Sequence, residues 1–333
     1  MGQAIVDRRA FVGGVTGGGL SIITPCLRAQ PAGRRVVIGY LSVGTPESNG
    51  PFGRALDETL VKFGYVEGRN CIVERRYAGG AVEMLPTLAA ELVRLRPNAI
   101  VGTANREIAA LRDATSEIPI VMVISVDPVG AGFIGSLARP GGNITGLSAI
   151  AGTDIRGKRL ELLKEIVPGL RKVAVLRSVG DSSADLSLAL ERAATALDLT
   201  TTVVEVRVLE DFERGFASIL EKRPEALFLD GASLLSLRKQ SICDFALKNR
   251  IPTTFAQKEF AQAGLLMTYG PSISYLYKQA AVYVDKVLRG AKPADLPVEQ
   301  PSRFELVVNL KTAKTIGVTI PQSLLLRADE VIQ

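Results

Sequence analysis

The chain has 333 residues, 47% of them hydrophobic and 22% charged, which suits two globular domains of ordinary size and excludes a disordered polymer. It contains no His and no Trp, has 5% aromatic residues, and carries a net charge of only +6 with no basic cluster. The missing histidine excludes imidazole acid–base catalysis, Ser-His-Asp and Cys-His triads and HExxH zinc sites. The sparse aromatics and scattered charge exclude a nucleic-acid-binding arm or stacking surface.

Taken in order, Asp7-Arg8-Arg9-Ala10-Phe11 and the weakly apolar run after it read as an export signal over residues 1–29. Its paired arginines point to the twin-arginine route, with Sec as the alternative, and the run is too short to span a bilayer. A strand is expected over 36–41 and a loop over 42–50. A helix then starts at Pro51, with Phe52, Leu56, Leu60 and Phe63 at helical spacing, and stops at Gly64. Strands over 71–77 and 99–102 alternate with helices over 82–95 and 105–114. The run 119–125 (PIVMVIS) is apolar and β-branched, as in a fully buried strand, and Asp127-Pro128 ends it. A Gly-rich turn and a short helical piece are expected next, then a break at 140–143 and a short strand over 144–147. Residues 130–135 spell GxGxxG, but four strands precede them and no long helix follows, so they read as a turn and not a dinucleotide loop.

The alternation then restarts. Ile155, Leu162, Leu163 and Ile166 mark one helix, with a strand over 173–176 and a second helix through Leu186, Leu190 and Leu197. A strand over 201–206, a helix over 211–220, a strand over 226–229, a helix over 232–249 and strands over 251–254 and 265–268 follow. Ile273, Tyr277, Ala280, Val284 and Leu288 form a long amphipathic helix ended by Gly290, and a Pro-rich linker leads to a strand over 304–308. Two βαβ series of similar size predict two α/β domains, each a parallel sheet covered on both faces. Cys71 and Cys243 read as small buried apolar residues and not a disulfide. No GxxxxGK[ST] loop and no metal-ligating cysteine cluster exist, so no cofactor or metal is expected.

The motifs SDPVGAGFIGSLARPGGNITGLS (125–148), GRNCIVERRYAGG (68–80), RLELLKEIVPGLRKVAVL (159–176) and the stretch 283–332 occur in one order along the chain. In these it resembles the ABC transporter substrate-binding family often linked to aromatic amino acid uptake. The resemblance covers essentially the whole chain. It implies the type I periplasmic-binding-protein fold: two lobes, each a mostly parallel sheet flanked by helices, joined by crossover strands. The lobes expected are 36–145 with about 270–300, and 146–269 with about 301–333. The implied protein is an exported, periplasmic receptor that closes on a small solute by hinge motion. An amino acid or small aromatic carboxylate is favoured, and its partner is a membrane permease driven by a separate ATPase subunit.

In that scheme the ligand sits at the carboxyl ends of the strands, where helix N-termini offer N–H groups to a carboxylate. From the first lobe the candidates are Ser42, Val43 and Thr45, then Thr103, Ala104 and Asn105, with Ser125 and Asp127 at the crossover. From the second they are Ser178, Asp230, Glu259 and Tyr269, with Asp127 or Asp230 as ammonium partner and Tyr269 as a stacking ring. The rival reading is an α/β enzyme acting on a nucleotide- or sugar-like substrate in the same crevice. A ligand-sensing regulator of the same fold would need a DNA-binding helix-turn-helix, for which residues 1–35 have no place.

Overall fold

The computed structural model describes residues 35–149, 154–180, 184–231 and 233–333, so the export signal expected at 1–29 lies outside the described residues. The first half builds β1 (Val36–Ser42), α1 (Pro46–Lys62), β2 (Cys71–Tyr77), α2 (Leu85–Arg94), β3 (Ala99–Ala104), α3 (Asn105–Ala114), β4 (Ile120–Ser125) and β5 (Ile144–Ser148). The strands form one five-stranded sheet in the order β2-β1-β3-β4-β5, with every pair parallel. Both faces of such a sheet must be covered, which is why β3 and β4 are mostly apolar and buried at every position, with Thr103 and Ser125 near their carboxyl ends.

The second half adds α4 (Asp154–Ile166), β6 (Lys172–Ser178), α5 (Ala184–Ala196), β7 (Thr200–Val206), α6 (Asp211–Glu221), β8 (Ala226–Asp230), α7 (Ser233–Leu237), α8 (Lys239–Lys248), β9 (Thr253–Phe255), α9 (Lys258–Gln262) and β10 (Met267–Pro271). The chain then runs through α10 (Ile273–Leu288), β11 (Phe304–Asn309), α11 (Leu310–Ile316), α12 (Gln322–Leu325) and β12 (Glu330–Ile332). The second sheet has seven strands in the order β12-β11-β10-β9-β8-β6-β7, and only the β10–β11 pair is antiparallel. Ile273, Tyr277, Ala280 and Val284 of α10 return to the first sheet, packing with Ile38, Val101 and Leu56. Ala313, Ile316 and Leu324 instead join Leu162, Ile166 and Val308 on the second.

The chain therefore crosses between the sheets three times: after β5, between β10 and α10, and before β11. The last crossing is stitched to the first, because Leu147 and Glu299 form an isolated parallel bridge and Thr145 donates to the Leu296 carbonyl at 2.7 Å.

Several local expectations give way to stronger local chemistry. The first helix begins at Pro46 and not at Pro51, because Thr45 and Ser48 form a reciprocal capping box. That cap offsets the one helical hydrogen bond Pro51 forgoes inside α1. The short helical piece expected after Pro128 is a series of turns. There the Asp127 carboxylate accepts from Gly130 N–H at 2.9 Å, and Phe133 and Ile134 bury against the first sheet. The helix expected over 232–249 breaks at Arg238, whose guanidinium reaches the Leu209 carbonyl at 3.3 Å. Cys71 and Cys243 are buried free thiols, and among the described residues no helix is long and apolar enough to cross a membrane.

Gly146 is the point where β5 comes closest to its neighbour. Its φ is +128°, and a Cβ there would meet the Met122 carbonyl oxygen at 2.3 Å. Neither the left-handed backbone nor the contact can relax without moving a ladder, so Gly146→Ala is expected to destabilise the protein by about 2 kcal/mol or more. Urea denaturation of the variant beside the parent measures this; an unchanged midpoint would contradict it.

Candidate functional site

The carboxyl ends of the two sheets face one another across a cleft made of two adjoining pockets that share Ile124, Gln257 and Ile273. The outer pocket takes Ser42, Val43, Thr103, Ala104 and Glu107 from the first lobe and Ser233, Ser236 and Leu237 from the second. Phe52 of α1 and Tyr277 of α10 add an aromatic wall, their rings stacked with centroids 5.6 Å apart. The inner pocket is mostly apolar, with Ile155, Phe255 and Pro271 in its lining, which also includes the buried Arg156, Arg159 and Asp230.

On the first-lobe side the polar groups converge on Glu107. This carboxylate is 1% exposed and accepts from the Val43 N–H at 2.7 Å and the Thr103 hydroxyl at 2.8 Å, so it fixes the loop after β1 against the start of α3. The Tyr40 and Tyr277 hydroxyls meet at 3.4 Å, and each lies 3.4 Å from Asn49 Oδ1. Burial raises both phenols above their ordinary pKa, so they are neutral hydrogen-bonding groups at physiological pH.

On the second-lobe side Asp230, at the end of β8, is 1% exposed. Arg156 reaches its Oδ1 through Nε at 2.8 Å and Nη2 at 2.7 Å, and Arg177 reaches Oδ2 at 3.1 Å. Burial works to raise this carboxyl, but the charges of Arg156, Arg159 and Arg177 overcome it and hold Asp230 below the ordinary carboxylate range. Arg159 places its Cζ 4.4 Å from the centre of the Phe228 ring and donates to the Leu229 carbonyl at 3.2 Å. Outside the pockets Arg106 of α3 also bridges the lobes, donating to the carbonyls of Val179 and Arg207.

With this geometry in place the comparisons are decisive. The profile of the ABC transporter substrate binding protein family matches residues 53–332. The chain belongs to that family. A tyrosine-binding protein of Clostridioides difficile strain R20291 is 24% identical over 256 residues, 77% of this chain and 73% of that one. A Streptococcus pneumoniae ABC domain solved in complex with L-Trp has the same fold, with a TM-score of 0.82 and 23% identity over 90% of this chain and all of that one. A conserved domain protein from Vibrio cholerae O1 biovar El Tor is 26% identical, with a TM-score of 0.83 over 90% of this chain and 99% of that one. The two-lobed periplasmic-binding-protein fold and a substrate-binding, non-enzymatic family follow from these likenesses.

Of the residues the sequence singles out, Ser42, Val43, Thr103, Ala104 and Asp230 lie in the cleft lining. Thr45 is outside the lining, between Gly44 and Ser48 that belong to it, and caps α1. Asn105 and Ser125 lie outside the lining: Asn105 Oδ1 accepts from the Ser125 hydroxyl at 3.1 Å and the Val126 N–H at 3.0 Å, tying the start of α3 to the end of β4. Asp127, at φ +119°, caps its own turn through Gly130. Ser178, fully buried at the end of β6, has no hydrogen-bond partner for its hydroxyl among the described residues. Glu259 and Tyr269 lie outside the lining; burial raises the Glu259 carboxyl, and Tyr269 packs on Phe304 at 5.8 Å. Glu107, Arg156 and Arg159 escaped the sequence reading. The available signal was Arg156 and Arg159 one turn apart in α4, at the helical spacing of the buried Leu160 and Leu163.

Removing the Asp230 charge leaves buried guanidiniums without their carboxylate, so Asp230→Asn is expected to cost about 3–5 kcal/mol at neutral pH. The folded pKa of Asp230 lies below the unfolded value of about 3.9. The stability it supplies is thus complete above about pH 5 and fades as pH falls through the folded value. Urea midpoints should differ widely between parent and variant at pH 7 and converge at low pH; a gap independent of pH would contradict this.

Proposed function

We propose that the chain is an exported, periplasmic receptor that captures one small solute in the cleft and hands it to an ABC permease driven by a separate ATPase. The solute class is an amino acid or small aromatic carboxylate. The observation that carries this is the cleft's lining from both lobes, which combines a Phe52–Tyr277 wall, an apolar inner pocket and charged groups of both signs. A receptor for a compact, partly apolar, ionised solute needs that combination. The tyrosine and L-Trp named for the relatives favour an aromatic amino acid within the class. In this reading Ser42, Val43, Thr103, Ala104 and Glu107 meet the solute from the first lobe and the α4 guanidiniums, held by Asp230, from the second. Asn105 and Ser125 hold the first-lobe loops in place. The lobes are hinged bodies joined at the three crossings, and capture is closure about those crossings.

Thermal unfolding in the presence of amino acids, aromatic and branched-chain carboxylates, purines and sugars tests this reading. A solute at a hundred times its Kd stabilises the folded state by about 2.7 kcal/mol. The expected result is a saturable rise of several degrees confined to amino acids or aromatic carboxylates. A rise confined to sugars or purines would contradict the class, and no rise with any solute would contradict the receptor reading.

A further inference from the structure

The two arginines of α4 are not equivalent. Arg156 is committed to Asp230, which also receives Arg177, so that carboxylate is occupied by the protein's own cations. Arg159 is 4% exposed and forms no salt bridge among the described residues. Its Nη1 donates to Leu229, while its Nε is buried without a hydrogen-bond partner. Burial and the neighbouring charge of Arg156 pull its pKa down further than the shared charge of Asp230 raises it. A buried guanidinium with an idle donor is costly unless something completes its pairing. The pocket it lines is apolar on its other sides, with Ala149, Ile155, Phe255 and Pro271 close by. An anion entering there finds one charged donor set and few competing polar groups.

We propose that Arg159, backed by Arg156, is the seat of the solute's carboxylate, and that Asp230 positions this pair and does not receive a ligand ammonium. The assignment rests on the receptor reading above and makes that reading specific: the solute is a carboxylate whose acid group enters the inner pocket from the second lobe. Phe228 lies against the guanidinium and Leu229 takes Nη1, so the donor left for the ligand is Nε, and a carboxylate suits a charged donor of this kind.

The test is calorimetric titration of the purified full chain with L-tryptophan and L-tyrosine, their carboxamides, and tryptamine and tyramine. The acids should bind about tenfold or more tightly than the amides and amines, as expected when a charge-assisted hydrogen bond is lost. Arg159→Gln should erase that preference, acid and amide then binding alike, and Arg159→Lys should restore part of it. Unfolding curves of both variants without solute show whether they fold. The parent series alone decides the matter should they not. Acids and amides binding equally to the parent would overturn the carboxylate seat while leaving the receptor reading intact. A folded Arg159→Gln protein that keeps the acid preference would do the same. No binding by any of the six compounds would overturn the aromatic amino acid reading and the seat with it.

Discussion

Three crossings of one chain between two parallel sheets constrain everything else in this protein. Because β5, β10 and β11 carry the chain across, neither lobe is a contiguous segment, and each owes elements to the far side of the sequence. α10 returns to cover the first sheet only after the second is nearly complete, and β11 and β12 then extend the second sheet past β10. The crossings are also tied to one another, through the Leu147–Glu299 bridge and the Thr145 hydroxyl on Leu296. Parallel strands end on one edge of their sheet, so joining the two sheets at that edge places the ends of β1, β3, β4, β8 and β9 around a single cleft.

Within the cleft the organising problem is the burial of charge. The first lobe buries Glu107 and holds its Oε1 with a backbone N–H and a threonine hydroxyl, which makes the carboxylate a brace for the β1 and β3 loops. The second lobe buries Asp230 among guanidiniums, which makes it a hub for α4 and β6. The two sides therefore differ in kind, one a carboxylate held by neutral donors and the other a carboxylate surrounded by cations. That asymmetry gives the cleft a polarity along which an ionised solute can orient. The aromatic wall of Phe52 and Tyr277 lies on the first-lobe side, where Tyr40, Tyr277 and Asn49 offer neutral hydrogen bonds.

Much of the fold was legible because its strongest signals are local. The apolar β-branched run of β4, the alternation of strands with amphipathic helices and the Pro-rich return before β11 each follow from residues close in sequence. The departures have physical causes of longer range or finer grain. The Thr45–Ser48 capping box moved the start of α1 ahead of Pro51. A helix that reads as continuous breaks at Arg238, where the guanidinium meets the Leu209 carbonyl, and the short β12 is placed by pairing with β11, which it follows by some twenty residues. In the site, the strand-end loops at Ser42–Val43 and Thr103–Ala104 were legible, since parallel sheets put such loops at their ligand edge. Glu107, Arg156 and Arg159 were not. Charged residues on a helix ordinarily face solvent, and only the arrival of β8 and Asp230, some 70 positions downstream, turns the α4 arginines inward.

The most direct measurement is a crystal structure of the protein grown with whichever of L-tyrosine or L-tryptophan stabilises it. The account predicts the solute between the lobes, its ring in the apolar part of the cleft and its carboxylate within hydrogen-bonding distance of Arg159. A solute bound elsewhere on the surface, or one in the cleft with its carboxylate turned away from α4 towards the loop after β1, would contradict it.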